Sequence, residues 1–174
     1  MTDPLPNRND ELNLRAATSA DVSQILEFIR ELATYEREPD AVLATEADLL
    51  RDGFGPDKRF DCVIAELTNA DRTIAAGFAL YFYNYSTWRG HAGIYLEDLY
   101  VSPEHRGKGI GKALLTRVAA IAVSEVCPRF EWSVLDWNTP SIDFYKQLGA
   151  VMKSEWKGMQ VSGEALAALA TQSK

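Results

Sequence analysis

Val101-Ser102-Pro103-Glu104-His105-Arg106-Gly107-Lys108-Gly109-Ile110-Gly111-Lys112 decides the reading of this chain. It follows an apolar run, Ile94 to Val101, that reads as a strand. Beyond it, Leu114, Leu115, Val118, Ile121 and Ala122 repeat at helical spacing from Ile110. A glycine-punctuated loop entering a helix leaves backbone N–H groups unpaired, and the helix dipole there favours negative charge. The combination suits a phosphate or diphosphate. Two common glycine loops fail on spacing. A P-loop counted from Gly107 would need its second glycine at Lys112, and the dinucleotide pattern Gly-x-Gly-x-x-Gly matches Gly107 and Gly109 but also meets Lys112. The acidic ribose partner about 20 residues on is hard to place. Neither ATP nor NAD is favoured.

Bulk properties narrow the class. With 174 residues, 47% hydrophobic and 25% charged, the chain reads as one ordinary globular domain with a sizeable core. Residues 1–11 read as a loose leader and 12–174 as a single domain. No apolar run approaches the roughly 20 residues of a membrane span, and the polar start lacks a signal-peptide core. Cys62 and Cys127 are too few and too far apart for a disulfide framework or a zinc site, so they read as apolar filler in a cytoplasmic protein with no metal. A net charge of −7 argues against nucleic acid as a partner and is compatible with a cationic substrate.

The elements follow from pattern. Leu12 to Ala16 reads as a strand. Thr18 to Asp21 reads as a capping box before a helix whose stripe is Val22, Ile25, Leu26, Ile29, Leu32 and Ala33. Thr45 and Asp48 cap a second helix ending near Gly53 and Gly55. Cys62–Leu67 and Thr73–Tyr83 read as strands joined by a turn around 69–72, with another turn at Trp88-Arg89-Gly90. Phe130 to Leu135 reads as a strand. Thr139-Pro140 reads as an N-cap and first helical residue, and Gly149 as the C-cap. A strand pair around Val151 to Val161 and an Ala-rich helix close the chain. The sum is an α/β or α+β domain with a mixed, largely antiparallel sheet flanked by helices.

Arg106, Gly109 and Gly111 match the Arg/Gln-x-x-Gly-x-Gly/Ala acyl-CoA loop, and the chain resembles the GNAT N-acetyltransferases. Within them it resembles the diamine acetyltransferases and their thialysine N-epsilon-acetyltransferase branch. The residues that carry this are Glu31 to Glu36, Asp48-Leu49-Leu50, Asp52 to Gly55, Tyr95 to Asp98, Leu135 to Asn138, Phe144 to Lys146 and Leu148 to Ala150. The resemblance implies acetyl-CoA as cosubstrate, a small-molecule amine as acceptor and a homodimer. It also implies that the backbone of Leu99, Tyr100 and Val101 pairs with the pantetheine arm. The loop Arg106, Gly107, Lys108, Gly109, Ile110, Gly111 and Lys112 would then hold the diphosphate, with Asn138, Ser141 and Tyr145 also on the coenzyme.

Acetyl transfer to an amine needs a neutral nitrogen. An alkylammonium of pKa ~10.4 is only about one part in a thousand neutral at pH 7, a deficit of roughly 4–5 kcal/mol. The site must take a proton, stabilise an oxyanion and protonate the departing thiolate. Adjacent strand residues point to opposite faces, so alternation groups Glu97 with Tyr95, Leu99 and Val101, and Asp98 with Leu96 and Tyr100. The resemblance assigns Glu97 to bind the amine and relay its proton, with Asp98 as a second substrate contact. Otherwise both satisfy neighbouring backbone or Arg groups. The resemblance makes Tyr145 the general acid, suited by a phenol acidity comparable to a thiol's; otherwise Phe144 and Tyr145 are a packing pair. Asn138 and Ser141 also suit a helix start. Tyr35 and Glu36 fall where the relatives contact the far end of the substrate, and a glutamate at a helix C-terminus is disfavoured by the dipole; a solvated charge is the alternative. Trp88 reads as a cleft wall or as hairpin packing, and His91 and His105 as surface residues.

One departure bears on substrate. Where polyamine-acting enzymes carry an acidic residue before the tryptophan, this chain has Ser86. Losing that carboxylate should weaken long polyamines by roughly 1–3 kcal/mol relative to short amines if the pair is buried. The expected activity is therefore acetylation of thialysine, a lysine-like amine or a short diamine. Polyamine acetylation, protein-lysine acetylation and a catalytically silent acyl-CoA sensor are the alternatives.

Overall fold

The computed structural model describes residues 11–69 and 72–173. They form two compact units, divided after Ser133. The leader expected over 1–11 lies outside the described residues except for Glu11, which already belongs to the first strand. The turn expected around 69–72 is likewise described only at its ends.

The first unit carries β1 (Glu11–Ala16), α1 (Val22–Tyr35), α2 (Glu46–Phe54), β2 (Asp61–Asn69), β3 (Arg72–Ser86), β4 (His91–Val101), α3 (Ile110–Ser124) and β5 (Phe130–Trp132). Its described strands lie in sequence order, β1-β2-β3-β4-β5. The first three pairings are antiparallel and the last is parallel. A parallel neighbour needs a crossover, which α3 supplies.

Local sequence sets the helix starts. Asp21 accepts from the Thr18 backbone N–H at 2.7 Å, closing a 3-10 turn that runs into α1. Thr45 Oγ1 accepts from the Asp48 N–H at 3.3 Å, and Asp48 accepts from the Thr45 N–H at 3.1 Å, a reciprocal cap on α2. Arg15 ties β1 to this corner, donating to both Asp21 oxygens at 2.7 Å and to Glu66 at 2.8 Å. The paired guanidinium holds the Asp21 carboxyl down at about 2.

Helices cover both sheet faces, so β2 buries Cys62, Val63, Ile64 and Ala65 consecutively. On one face α1 packs Val22, Ile25, Leu26 and Phe28 against Ile64, Phe78, Leu80 and Tyr100. Phe28 was not in the stripe read from sequence, yet it is 1% exposed and stacks on Phe78 at 5.5 Å. On the other face α3 buries Ile110, Leu114, Leu115, Val118 and Ala122. Gly77 is paired with Val101, and a Cβ there would meet the Tyr100 carbonyl oxygen at 2.4 Å.

The second unit, 134–173, holds α4 (Thr139–Gln147) and α5 (Gly163–Ala170). Three expectations are corrected. β5 stops at Trp132 instead of Leu135, because its ladder with β4 ends there. Asn138, one residue earlier than expected, caps α4. The strand pair around Val151 to Val161 is absent: these residues take no strand conformation and leave Val151 82% and Met159 93% exposed. A strand requires a hydrogen-bonded neighbour, and 134–173 contains none among the described residues.

Candidate active site

The loop after β4 is shaped by its glycines. The Ser102 N–H donates to the Ala76 carbonyl at 3.0 Å, and a 3-10 turn spans Pro103–His105. Gly107 and Gly109 then take φ of 76° and 79°, values disfavoured for residues with a Cβ. Space around both is open, with nothing within 4 Å of where a Cβ would sit. Gly109 is the N-cap of α3 and offers no side chain to it, and no acidic residue lies in the first turn. The first intrahelical bond runs from the Ala113 N–H to the Gly109 carbonyl. The N–H groups of Ile110, Gly111 and Lys112 therefore point outward without an intrahelical acceptor. By contrast, Thr45 and Asn138 cap α2 and α4 with side chains. An anionic diphosphate fits the α3 start.

The neighbouring strand edge is open. β4 pairs with β5 only through Ile94, Tyr95 and Leu96. Past Leu96 no described strand lies along that side of Glu97, Asp98, Leu99, Tyr100 and Val101. The Tyr95 hydroxyl meets Ser133 Oγ at 2.6 Å where the two strands part. An extended ligand can pair with backbone of this kind as another strand would.

A bulge decides where the carboxylates point. Leu96 pairs with Tyr81 and Asp98 with Leu80, leaving Glu97 as the extra residue. Cross-strand partners share a face. Asp98 and Tyr100 therefore lie with Leu80 and Phe78 on the α1 side, and Leu96 lies on the other. Simple alternation, which groups Asp98 with Leu96, fails at this point. Glu97 is exposed and Asp98 half-buried. Burial pushes the Asp98 carboxyl up to about 7, aided by the negative charges of Glu97 and Glu36. Glu36, half-buried at the C-cap of α1, is also raised by burial. The structure thus brings Glu36, predicted at the end of the first helix, near the Glu97 and Asp98 pair predicted on the strand. No cation contributes to the shift of Asp98. Such a concentration of negative charge suits an ammonium ligand.

Arg106 and Tyr35, predicted for coenzyme and amine respectively, meet each other. The Arg106 guanidinium carbon lies 5.0 Å from the Tyr35 ring centroid and 5.5 Å from that of Tyr100, and Nε donates to the Val101 carbonyl at 2.9 Å. Trp88 stands 89% exposed in the turn between β3 and β4. Ser86 is buried at that turn, and its carbonyl accepts from the Arg89 and Gly90 N–H groups. His91 is exposed as expected, but the His105 side chain is only 15% exposed. The Pro103–His105 turn folds it inward.

In the second unit Asn138 is 8% exposed, and its Oδ1 accepts from the Ser141 N–H at 3.4 Å, so both residues fix the start of α4. Tyr145 lies on α4 beside Phe144, ring centroids 5.2 Å apart. Among the described residues no group of three His, Cys, Asp or Glu side chains is arranged to hold a metal ion. Nor is any helix long and apolar enough to cross a membrane.

Known proteins resemble this chain in sequence and in fold. The profile of the Acetyltransferase (GNAT) family matches residues 23–150. A thialysine N-epsilon-acetyltransferase of Sus scrofa is 43% identical over 164 residues, covering 90% of this chain and 96% of the relative. Spermidine/spermine N(1)-acetyltransferase-like protein 1 of Homo sapiens is 40% identical over 152 residues, 86% of this chain and 22% of that protein. An integron cassette protein from the mobile metagenome of V. cholerae shares the fold, with TM-score 0.74 and 27% identity over 91% of this chain and 97% of its own.

Proposed function

Since this chain belongs to the GNAT acetyltransferase family, we propose that it moves an acetyl group from acetyl-CoA to a primary amine of a small cationic molecule. Thialysine, a lysine-like amine or a short diamine is the acceptor, and the protein works as a cytoplasmic homodimer. The observation that carries the choice of acceptor is the cluster of Glu36, Glu97 and Asp98 beside the open edge of β4. Bound acetyl-CoA supplies the activated acyl group.

The chain's own residues do the rest. Backbone N–H groups of the 106–111 loop and the first turn of α3 hold the diphosphate. Leu99, Tyr100 and Val101 present their backbone to the pantetheine arm, and an N–H there serves the acetyl oxygen as charge develops. Glu97, exposed at the bulge, draws in the ammonium and relays its proton. Asp98, titrating at about 7, can hold that proton at neutral pH. A carboxyl with its usual low pKa would hold it poorly. Tyr145 protonates the departing thiolate, and Asn138 and Ser141 contact the coenzyme while fixing α4. Tyr35, Glu36 and Trp88 bound the acceptor.

A thiol-release assay with acetyl-CoA against thialysine, lysine, short diamines and polyamines tests the reading. Turnover should be highest with thialysine, lysine or a short diamine, and weaker with spermidine and spermine because Ser86 replaces a carboxylate. A protein that binds coenzyme A yet acetylates none of these amines would refute it. Strong acetylation of protein lysines uncompeted by free amines would move the acceptor to polypeptides.

A further inference from the structure

We propose that Arg106 is a positioning residue that ties the coenzyme loop to the end of α1, so that the acceptor site and the coenzyme site respond to each other. Arg106 opens the loop whose amides face the diphosphate, and Tyr35 is the last residue of α1, next to Glu36. Their juxtaposition joins the two halves of the reaction centre. The inference rests on the function proposed above.

The clamp has a buried side and an exposed side. Tyr100 is 5% exposed and held by Phe28 at 6.0 Å, which in turn stacks on Phe78. Arg106 lies against that ring and bonds the Val101 carbonyl, so its inner contacts are anchored in the core. Tyr35, 38% exposed, closes over the guanidinium from α1. The loop needs such an anchor. Gly107 and Gly109 have the widest conformational freedom of any residue, and neither has a neighbour within 4 Å of where its side chain would start. Their φ values are therefore set from outside, by Arg106 on the side before Gly107 and by the buried Ile110 on the side after Gly109. A ligand that settles against Tyr35 and Glu36 holds one jaw of the clamp still. The ordering that coenzyme binding requires is then partly done, which makes the two bindings favour each other.

The test measures coenzyme A affinity by calorimetry with no amine present, together with KM for acetyl-CoA and for thialysine. Tyr35→Leu removes the ring at a surface position, Tyr35→Phe keeps it, and Arg106→Gln removes the cation. Y35L should weaken coenzyme A binding by roughly three- to tenfold, as expected for the loss of one ring–cation contact and the order it imposes. Y35F should bind as wild type does. R106Q should weaken binding at least as much as Y35L. The double variant should be no worse than R106Q within about twofold, because both changes break one device. An unchanged coenzyme affinity in Y35L, with only the amine KM raised, would make Tyr35 a plain substrate contact and overturn the clamp. Effects that multiply in the double variant would overturn it as well. Wild-type protein that takes up no coenzyme A would instead remove the proposed function, and the clamp with it.

Discussion

Replacing Asp98 with Asn probes a carboxyl displaced far from its ordinary range. Burial, then Glu97 and Glu36, push this carboxyl from an ordinary 3.8 to about 7. Its pKa is thus higher folded than unfolded, and the folded state holds the proton more tightly. The stability this contributes is complete below pH 3.8 and is lost as pH rises through about 7. A displacement of that size corresponds to roughly 4 kcal/mol against the ionised form. Partial solvent access at a half-buried position brings this to about 2 kcal/mol. Asn has nearly the same shape and no charge to bury. D98N should therefore match wild type within about 0.5 kcal/mol at pH 4 and exceed it by about 2 kcal/mol at pH 8. Urea unfolding at the two pH values reads the difference directly. The same variant should lose at least tenfold in kcat/KM, since the gain in stability removes a proton-holding group. A stability gap between variant and wild type that does not change from pH 4 to pH 8 would refute the reasoning.

Other outcomes follow from the same structure. Tyr145→Phe should lower kcat by about 10²–10⁴, the usual worth of a general acid, while calorimetric coenzyme A affinity stays within about twofold. Gly77→Ala should cost about 2–3 kcal/mol in urea unfolding, because its methyl group would lie 2.4 Å from the Tyr100 carbonyl in a closely packed strand pair. Arg15→Gln should cost about 1–2 kcal/mol at pH 7, since it breaks partly buried charge-assisted bonds to Asp21 and Glu66. Asp21, held down at about 2, contributes stability that is present above its ordinary value of 3.8 and is lost as pH falls toward 2. R15Q should therefore flatten the acid limb of a stability–pH curve.

Features written in local chemistry were legible in the sequence. The two capping boxes, the amphipathic α1, the glycine loop and the helix after it each depend on residues within a few positions of one another, and they stand where the spacing puts them. The mixed, largely antiparallel sheet also matches. Features set by distant pairing were not legible. The bulge at Glu97 carries no glycine or proline to announce it, and it depends on how β4 meets Tyr81 and Leu80 of β3. Alternation groups Asp98 with both Leu96 and Tyr100, and only the grouping with Tyr100 holds; the role given to Glu97 came from the family resemblance and not from alternation. Arg106 and Tyr35 meet across a separation of 71 positions, and the contact has no local sign. Val151 to Val161 has the composition of strands, but composition supplies no partner.

The side-chain-free cap of α3 has a consequence for the life of the protein. Gly109, with φ of 79°, holds a conformation that disfavours the serine or aspartate that would otherwise cap the helix, and on the proposed function the coenzyme's diphosphate completes the helix start instead. Whatever binds there finishes the fold as well as entering the reaction. At a hundred times its dissociation constant such a ligand adds about 2.7 kcal/mol against unfolding. With the proposed coenzyme as that ligand, resistance to heat and to proteases should rise with coenzyme A concentration.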